Sequence, residues 1–259
     1  MILQIDIGNS RIKWRLMNGH KSLVAGTQAT ATILSGKPLV LESVTSVSEV
    51  QIASVANPTM VTSLRHQLAE RFSASIKMAQ VTAKAGGVTC GYKNPQQLGV
   101  DRWLAIVAAY HQLPERLLVV DAGSAITLDL VSPVGQHQGG YIIPGLRLMN
   151  EALQKGTEAI DVKSNDASDL LNPGEDSQQA VNKGCLMAAV AAVEKLASQH
   201  PIRVVVTGGD AEVLINGLSL ASDRVDKEHI KPKYTIINYP DLVLDGLSIP
   251  GISLVNSDL

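Results

Sequence analysis

The sequence predicts an α/β protein of two similar lobes. Three observations predict it. A unit of strand, Asp-x-Gly turn and returning strand occurs twice, at Asp6 and at Asp121. Apolar runs of strand length alternate with longer helical patterns in both halves. The 259 residues, 45% of them apolar, suffice for two separate cores. Pro114 follows a helical stretch, so the lobes are expected to be residues 1–115 and 116–259.

Each element has a local reason. Residues 2–7 and 11–17 read as strands around the turn residues Gly8, Asn9 and Ser10. Residues 40–48 and 51–57 read as further strands, and residues 61–71 as a helix with an apolar stripe. Residues 83–99 carry four glycines and a proline and read as a functional loop. The Ala- and Leu-rich run from Val100 to Leu113 is helical. The pattern then restarts. Residues 116–121 form a strand, Ala122, Gly123 and Ser124 a turn, and residues 126–131 a returning strand. A helix is expected from Leu146 to Thr157, polar loop over 161–175 and a long helix over 177–199. Residues 202–214 read as strand, glycine turn and helix, and the C-terminal stretch as a strand, a loop and a short helix.

Composition excludes several classes. The formal net charge is −2 with no long basic run, which leaves no face for a nucleic-acid backbone. Cys90 and Cys185 form no CxxC pair, as suits a reducing, cytoplasmic setting. The N-terminal run holds Asp6 and lacks a basic leader, and the apolar stretch Cys185–Val193 is too short to span a bilayer. No membrane contact is expected. The six histidines make no HxxxH pair, and His137, in a polar turn, is expected to be exposed. No GxSxG, GxGxxG or GxxxxGK[ST] spacing is present.

Four segments carry chemistry. The first is Asp6-Ile7-Gly8-Asn9-Ser10-Arg11-Ile12-Lys13. A hairpin tipped by Gly-Asn-Ser turns several backbone N–H groups one way, a nest suited to phosphate. Gly8 allows close approach, and Asp6 at the end of a buried strand would gain a partner in hydrated Mg²⁺. The same residues equally describe an ordinary hairpin. The second, Asp121 to Asp129, repeats this logic, so that two hairpins could grip one phosphate tail. The third, Gly99-Val100-Asp101-Arg102, opens a helix whose first turn favours anions. Asp101 there suits a general base, and Arg102 suits a carboxylate-bearing substrate. Capping alone would also place an acid at this position. The fourth, Thr207-Gly208-Gly209-Asp210, could lay a flat nucleoside against backbone or simply make a glycine turn.

In this order, DIGNSRIK, GYKNPQQLGVDR, DAGSAITLD with GGYIIPG, and TGGDA resemble the type III pantothenate kinases over residues 2 to about 247. The resemblance implies a two-lobed actin-like ATPase (ribonuclease H-like) fold with duplicated mixed-sheet domains. It implies ATP-dependent phosphorylation of pantothenate, the first step of coenzyme A biosynthesis, with Mg²⁺ and a monovalent cation, K⁺ or NH₄⁺. It implies a homodimer. Asp101 matches the catalytic base. Tyr92, Gly99, Val100, Asp101 and Arg102 match the pantothenate site, with Ser177 reaching substrate across the dimer. Asp6, Ile7, Gly8, Asn9, Ser10, Arg11, Ile12, Lys13 and Ser124 match the ATP site. Asp121 matches the monovalent-cation ligand, and Asp6 holds Mg²⁺ through water. Ser10, Ser124 and Ser177 stand where threonine is commoner and keep the hydroxyl. Two rivals remain at this point: an accessory regulator of gene expression with a silent site, and a sugar kinase of the same superfamily.

Overall fold

The computed structural model describes residues 1–156, 172–199, 202–225 and 234–256. The chain divides into two compact units, Met1–Gln112 with Leu242–Leu259, and Leu113–Asp241.

In the first unit β1 (Ile2–Ile7), β2 (Arg11–Asn18) and β3 (Lys21–Ala29) run antiparallel in sequence. β4 (Glu49–Ser54) joins parallel to β1, and β5 (Ser75–Gln80) parallel to β4. The sheet order is β13-β5-β4-β1-β2-β3, where β13 (Ser253–Asn256) lies antiparallel on β5. Alternation sets the two faces. Leu3, Ile5, Ile7, Ile12, Trp14 and Ile52 point into a core closed by α1 (Thr30–Leu34) and α2 (Pro58–Arg71). Pro58 starts α2 and Asn57 caps it by accepting the Thr59 N–H at 2.9 Å.

The opposite face carries Gln4, Arg15 and Gln51, all buried. Gln4 donates to Gln51 at 2.9 Å and to Ser248 at 3.0 Å, and Arg15 donates to Gln4 at 2.8 Å. Buried polar groups persist only when bonded in this way. Two helices belong to this side of the sheet, α3 (Val100–Gln112) and α7 (Leu242–Leu247), which pack on each other. These contacts, with β13, attach the chain from Leu242 onward to the first unit. The expected division had given it to the second lobe.

The second unit repeats the pattern. β8 (Leu117–Ala122), β9 (Ala125–Val131) and β10 (His137–Pro144) run antiparallel. β11 (Ile202–Thr207) adds parallel to β8, and β12 (Tyr234–Asn238) parallel to β11. The order β10-β9-β8-β11-β12 matches β3-β2-β1-β4-β5 strand for strand. Leu118, Val120, Ile126 and Leu128 meet α5 (Ser177–Ala197) and α6 (Ala211–Val225), with α4 (Leu146–Gly156) alongside α5. Asp176 caps α5 by accepting the Gln179 N–H at 2.7 Å.

Three expectations change. Residues 40–48 are not a strand: Leu41 and Val44 plug the first core, and Arg71 takes both their carbonyls, at 2.7 and 3.2 Å. The loop over 83–99 contains a small hairpin, β6 (Lys84–Ala85) with β7 (Val88–Thr89), and a 3₁₀ turn, Pro95–Gln97. His137 is 0% exposed: it opens β10, and its Nε2 lies 2.9 Å from an Asp129 carboxylate oxygen. Thr157 and residues 161–171 of the expected loop lie outside the described residues.

Candidate active site

Both predicted hairpins are present, and their registers correspond. In the first unit Asp6 stands directly across from Lys13, and in the second Asp121 stands across from Thr127. Each acid lies two residues before a glycine whose N–H closes the turn. Gly8 N–H bonds the Arg11 carbonyl at 3.0 Å, and Gly123 N–H bonds the Ala125 carbonyl at 3.0 Å. The second turn is one residue shorter. The first tip is braced from the side. Thr30 donates its N–H to Ser10 O at 3.0 Å and its hydroxyl to Gly8 O at 2.9 Å. Ile7 and Ile12 anchor the hairpin in the core, while Asn9 and Arg11 are exposed.

The entrance of α3 lies beside this hairpin within the same unit. Val55 connects them: its N–H reaches Ile7 O at 3.4 Å, and its Cγ1 lies 3.7 Å from where a Gly99 Cβ would stand. Gly99 O accepts the Trp103 N–H at 3.0 Å and so begins the helix. Asp101 Oδ1 accepts the Arg102 N–H at 2.7 Å. A Cβ on Gly99 would stand 2.5 Å from that same oxygen, so only glycine leaves the carboxylate its place. Arg102, 6% exposed, donates to the Tyr92 hydroxyl at 3.0 Å, and its guanidinium carbon is 5.6 Å from the Tyr92 ring centre. One corner of the guanidinium fork is thereby fixed, the arrangement that two-point carboxylate binding needs. Val100 is buried beneath the entrance.

In the second unit two other motifs close on the Asp121 hairpin. Gly145 donates its N–H to Ser124 O at 3.1 Å, and Asp210 donates its N–H to Ala122 O at 2.8 Å. Ser177 is the exposed first residue of α5. The sequence reading missed Val55 as a connector and the backbone roles of Gly145 and Asp210. The motifs GGYIIPG and TGGDA, which contain Gly145 and Asp210, were the available signal for those two.

Among the described residues no group of three or more His, Cys, Asp or Glu side chains gathers as a metal cage. Single carboxylates at hairpin tips suit an ion held mainly by phosphate oxygens and water, as Mg²⁺ is. Asp121 offers carboxylate oxygens, the kind of ligand a hard cation takes. No described helix is long and apolar enough to cross a membrane.

The sequence profile of the type III pantothenate kinases matches residues 2–199. The chain is 43% identical over 231 residues to the type III pantothenate kinase of Chromohalobacter salexigens, covering 84% of this chain and 80% of that one. It is 35% identical over 254 residues to the enzyme of that name from Pseudomonas aeruginosa, covering 96% and 98%. Among solved structures, a protein described as a Baf family transcriptional activator from Campylobacter jejuni aligns with TM-score 0.58 at 21% identity, over 95% and 94% of the chains. One described as an N-acetylmannosamine kinase from Listeria monocytogenes aligns with TM-score 0.50 at 12% identity, over 95% and 96%. These structural likenesses are ones of fold.

Proposed function

The chain belongs to the type III pantothenate kinase family, and from that premise we propose that it phosphorylates the 4′-hydroxyl of pantothenate with ATP, opening coenzyme A biosynthesis. The observation that carries the reading is the setting of Asp101 and Arg102. An acid seated in the first turn of α3 adjoins a buried guanidinium held by the Tyr92 hydroxyl. A substrate with a carboxylate at one end and an alcohol at the other fits such a pair.

Arg102, supported by Tyr92, holds the pantothenate carboxylate, with Gly99 and Val100 forming the wall beside it. Asp101 orients the alcohol and accepts its proton as the oxygen attacks phosphorus. Residues 6 to 13 and Ser124 bind ATP. The Gly8 turn offers N–H groups to phosphate oxygens, and Lys13 offers positive charge where the departing ADP oxygen gains negative charge. Mg²⁺, held through water by Asp6, supplies charge neutralisation on the transferring group when bound. Asp121 is the ligand for a monovalent cation, K⁺ or NH₄⁺. Its cross-strand neighbour is the neutral Thr127, whereas Asp6 faces Lys13.

The protein acts as a homodimer in which Ser177 reaches the partner's substrate. Support comes from exposed apolar side chains of the second unit: Tyr141 and Ile142 on β10, Leu148 and Leu153 on α4, Met187 on α5. A second copy of the chain would cover side chains of this kind. The Campylobacter likeness, at 21% identity, lends the regulator reading nothing beyond a shared fold.

ADP release coupled to a dye-linked assay, with pantothenate set against a panel of sugars, tests the activity. Turnover with pantothenate alone is expected. Release with a sugar and none with pantothenate overturns the proposal.

A further inference from the structure

We propose that Gly208 is a positioning residue for Asp121, and that the absence of a side chain at 208 sets the affinity of the monovalent cation. This rests on the reading of Asp121 as the ligand of that cation.

The glycine turn Thr207-Gly208-Gly209-Asp210 had two readings, a flat bed for a nucleoside or a simple chain reversal. Gly208 does make the chain reversal, and what its α-carbon faces gives it a second role. Thr207 on β11 is paired with Asp121 on β8, so the next residue leaves the sheet directly beside the hairpin. Gly208 has φ +100°. A Cβ there would lie 2.3 Å from the Ala122 carbonyl oxygen and 2.5 Å from Asp121 Oδ1. Those separations are far inside van der Waals contact, so the bare α-carbon faces the hairpin and not an open surface. The Asp210 N–H, two residues on, holds the same Ala122 carbonyl at 2.8 Å. A second bare α-carbon flanks the carboxylate, since a Cβ on Gly123 would come within 3.7 Å of Asp121 Oδ1.

The backbone at 208–210 thus holds Ala122 O through the Asp210 N–H and lies directly against Asp121 Oδ1. A methyl at 208 must turn the carboxylate or push back the turn. Either change alters the setting of the carboxylate that would hold the cation. Displacing such a supporting group typically costs about tenfold to a hundredfold in metal affinity.

The test is the rise in melting temperature of the ATP·Mg²⁺-bound protein as KCl replaces NaCl at constant ionic strength. Wild type, Gly208→Ala, Gly36→Ala and Asp121→Asn are compared. Gly36 has φ +84° with nothing within 4 Å of its Cβ position, so it reports backbone strain without a collision. Gly208→Ala is expected to need about tenfold more KCl for half of the rise, Gly36→Ala the wild-type amount, and Asp121→Asn to show no rise. If Asp121→Asn keeps the wild-type response, the cation reading of Asp121 fails. If Asp121→Asn loses the response while Gly208→Ala keeps the wild-type midpoint, the positioning role fails alone. A measurement on the unaltered protein stands beside these in case the alanine variant does not fold. In isotope-labelled wild type, the Gly208 amide resonance should move on KCl titration, and not on NaCl, with the thermal midpoint. A stationary Gly208 resonance during a full KCl response contradicts the proposal.

Discussion

Arg15 on β2 donates to Asp245 on α7 at 2.7 Å, across 230 positions of sequence. The pair is mostly shielded, with side-chain exposures of 10% and 30%, and it continues through Gln4 into Gln51 and Glu49. This row of polar side chains fixes the C-terminal helix to the first sheet, on the side where α3 packs. Asp245→Ala leaves the Arg15 charge without this carboxylate and should cost about 2–4 kcal/mol. The midpoint of urea unfolding checks it, and an unchanged midpoint would assign the row no structural weight.

At the far end of the row, burial disfavours the charged form of Glu49. Bonds from Lys77 at 2.6 Å and Gln51 at 2.7 Å, with the Lys77 charge, outweigh burial and hold the carboxyl below its ordinary value of 4.5. A lowered folded value means the stabilisation is complete above the ordinary value and is lost as pH falls through the folded one. Lys77→Met should therefore flatten the loss of stability between neutral and acid pH. Parallel curves for variant and wild type would count against this.

Tyr234 behaves oppositely. Burial, then the nearby Glu194 charge, pushes its phenol from 10.0 to about 12. With the folded value raised, the stabilisation is full below 10.0 and is lost as pH rises toward about 12. Among the described residues the Tyr234 hydroxyl is buried without a hydrogen-bond partner. Tyr234→Phe should be neutral or stabilise by up to about 1 kcal/mol. Phenolate absorbance during alkaline titration should also lose its latest-titrating component. Destabilisation by the phenylalanine would show that the hydroxyl has a partner after all.

Gly99→Ala places a methyl where Asp101 Oδ1 sits, 2.5 Å away. The carboxylate must move by a fraction of an ångström or more, and kcat is expected to fall about a hundredfold. The KM for ATP should change little, because the nucleotide is assigned to other residues. Steady-state kinetics separates the two, and an equal loss in both parameters would point to a general collapse of the site.

Much of this was legible in the sequence. Asp6 and Asp121 marked two hairpins because strand, acid, glycine and strand are local signals, and the first turn of α3 was marked by Gly99 and its Ala-rich continuation. What stayed hidden depends on distant partners. The stretch from Val40 to Ser48 alternates like a strand, yet Arg71 takes the carbonyls that a neighbouring strand would have used. His137 reads as a polar turn residue, and only the fold brings Asp129 beside it. The return of the C-terminal chain to the first unit rests on Arg15 and Asp245, whose partnership no local pattern announces. The closeness of Gly208 to Asp121 likewise depends on the pairing of β11 with β8.

In the proposed mechanism Asp101 takes the proton of the pantothenate alcohol during phosphoryl transfer. The most direct measurement is ADP formation with saturating pantothenate and ATP by wild type and by Asp101→Asn, with nucleotide binding measured separately. Pantothenate-dependent turnover should fall about 10²- to 10⁴-fold in the asparagine variant while ATP affinity is kept. Turnover within a few-fold of wild type in that variant would contradict this mechanism.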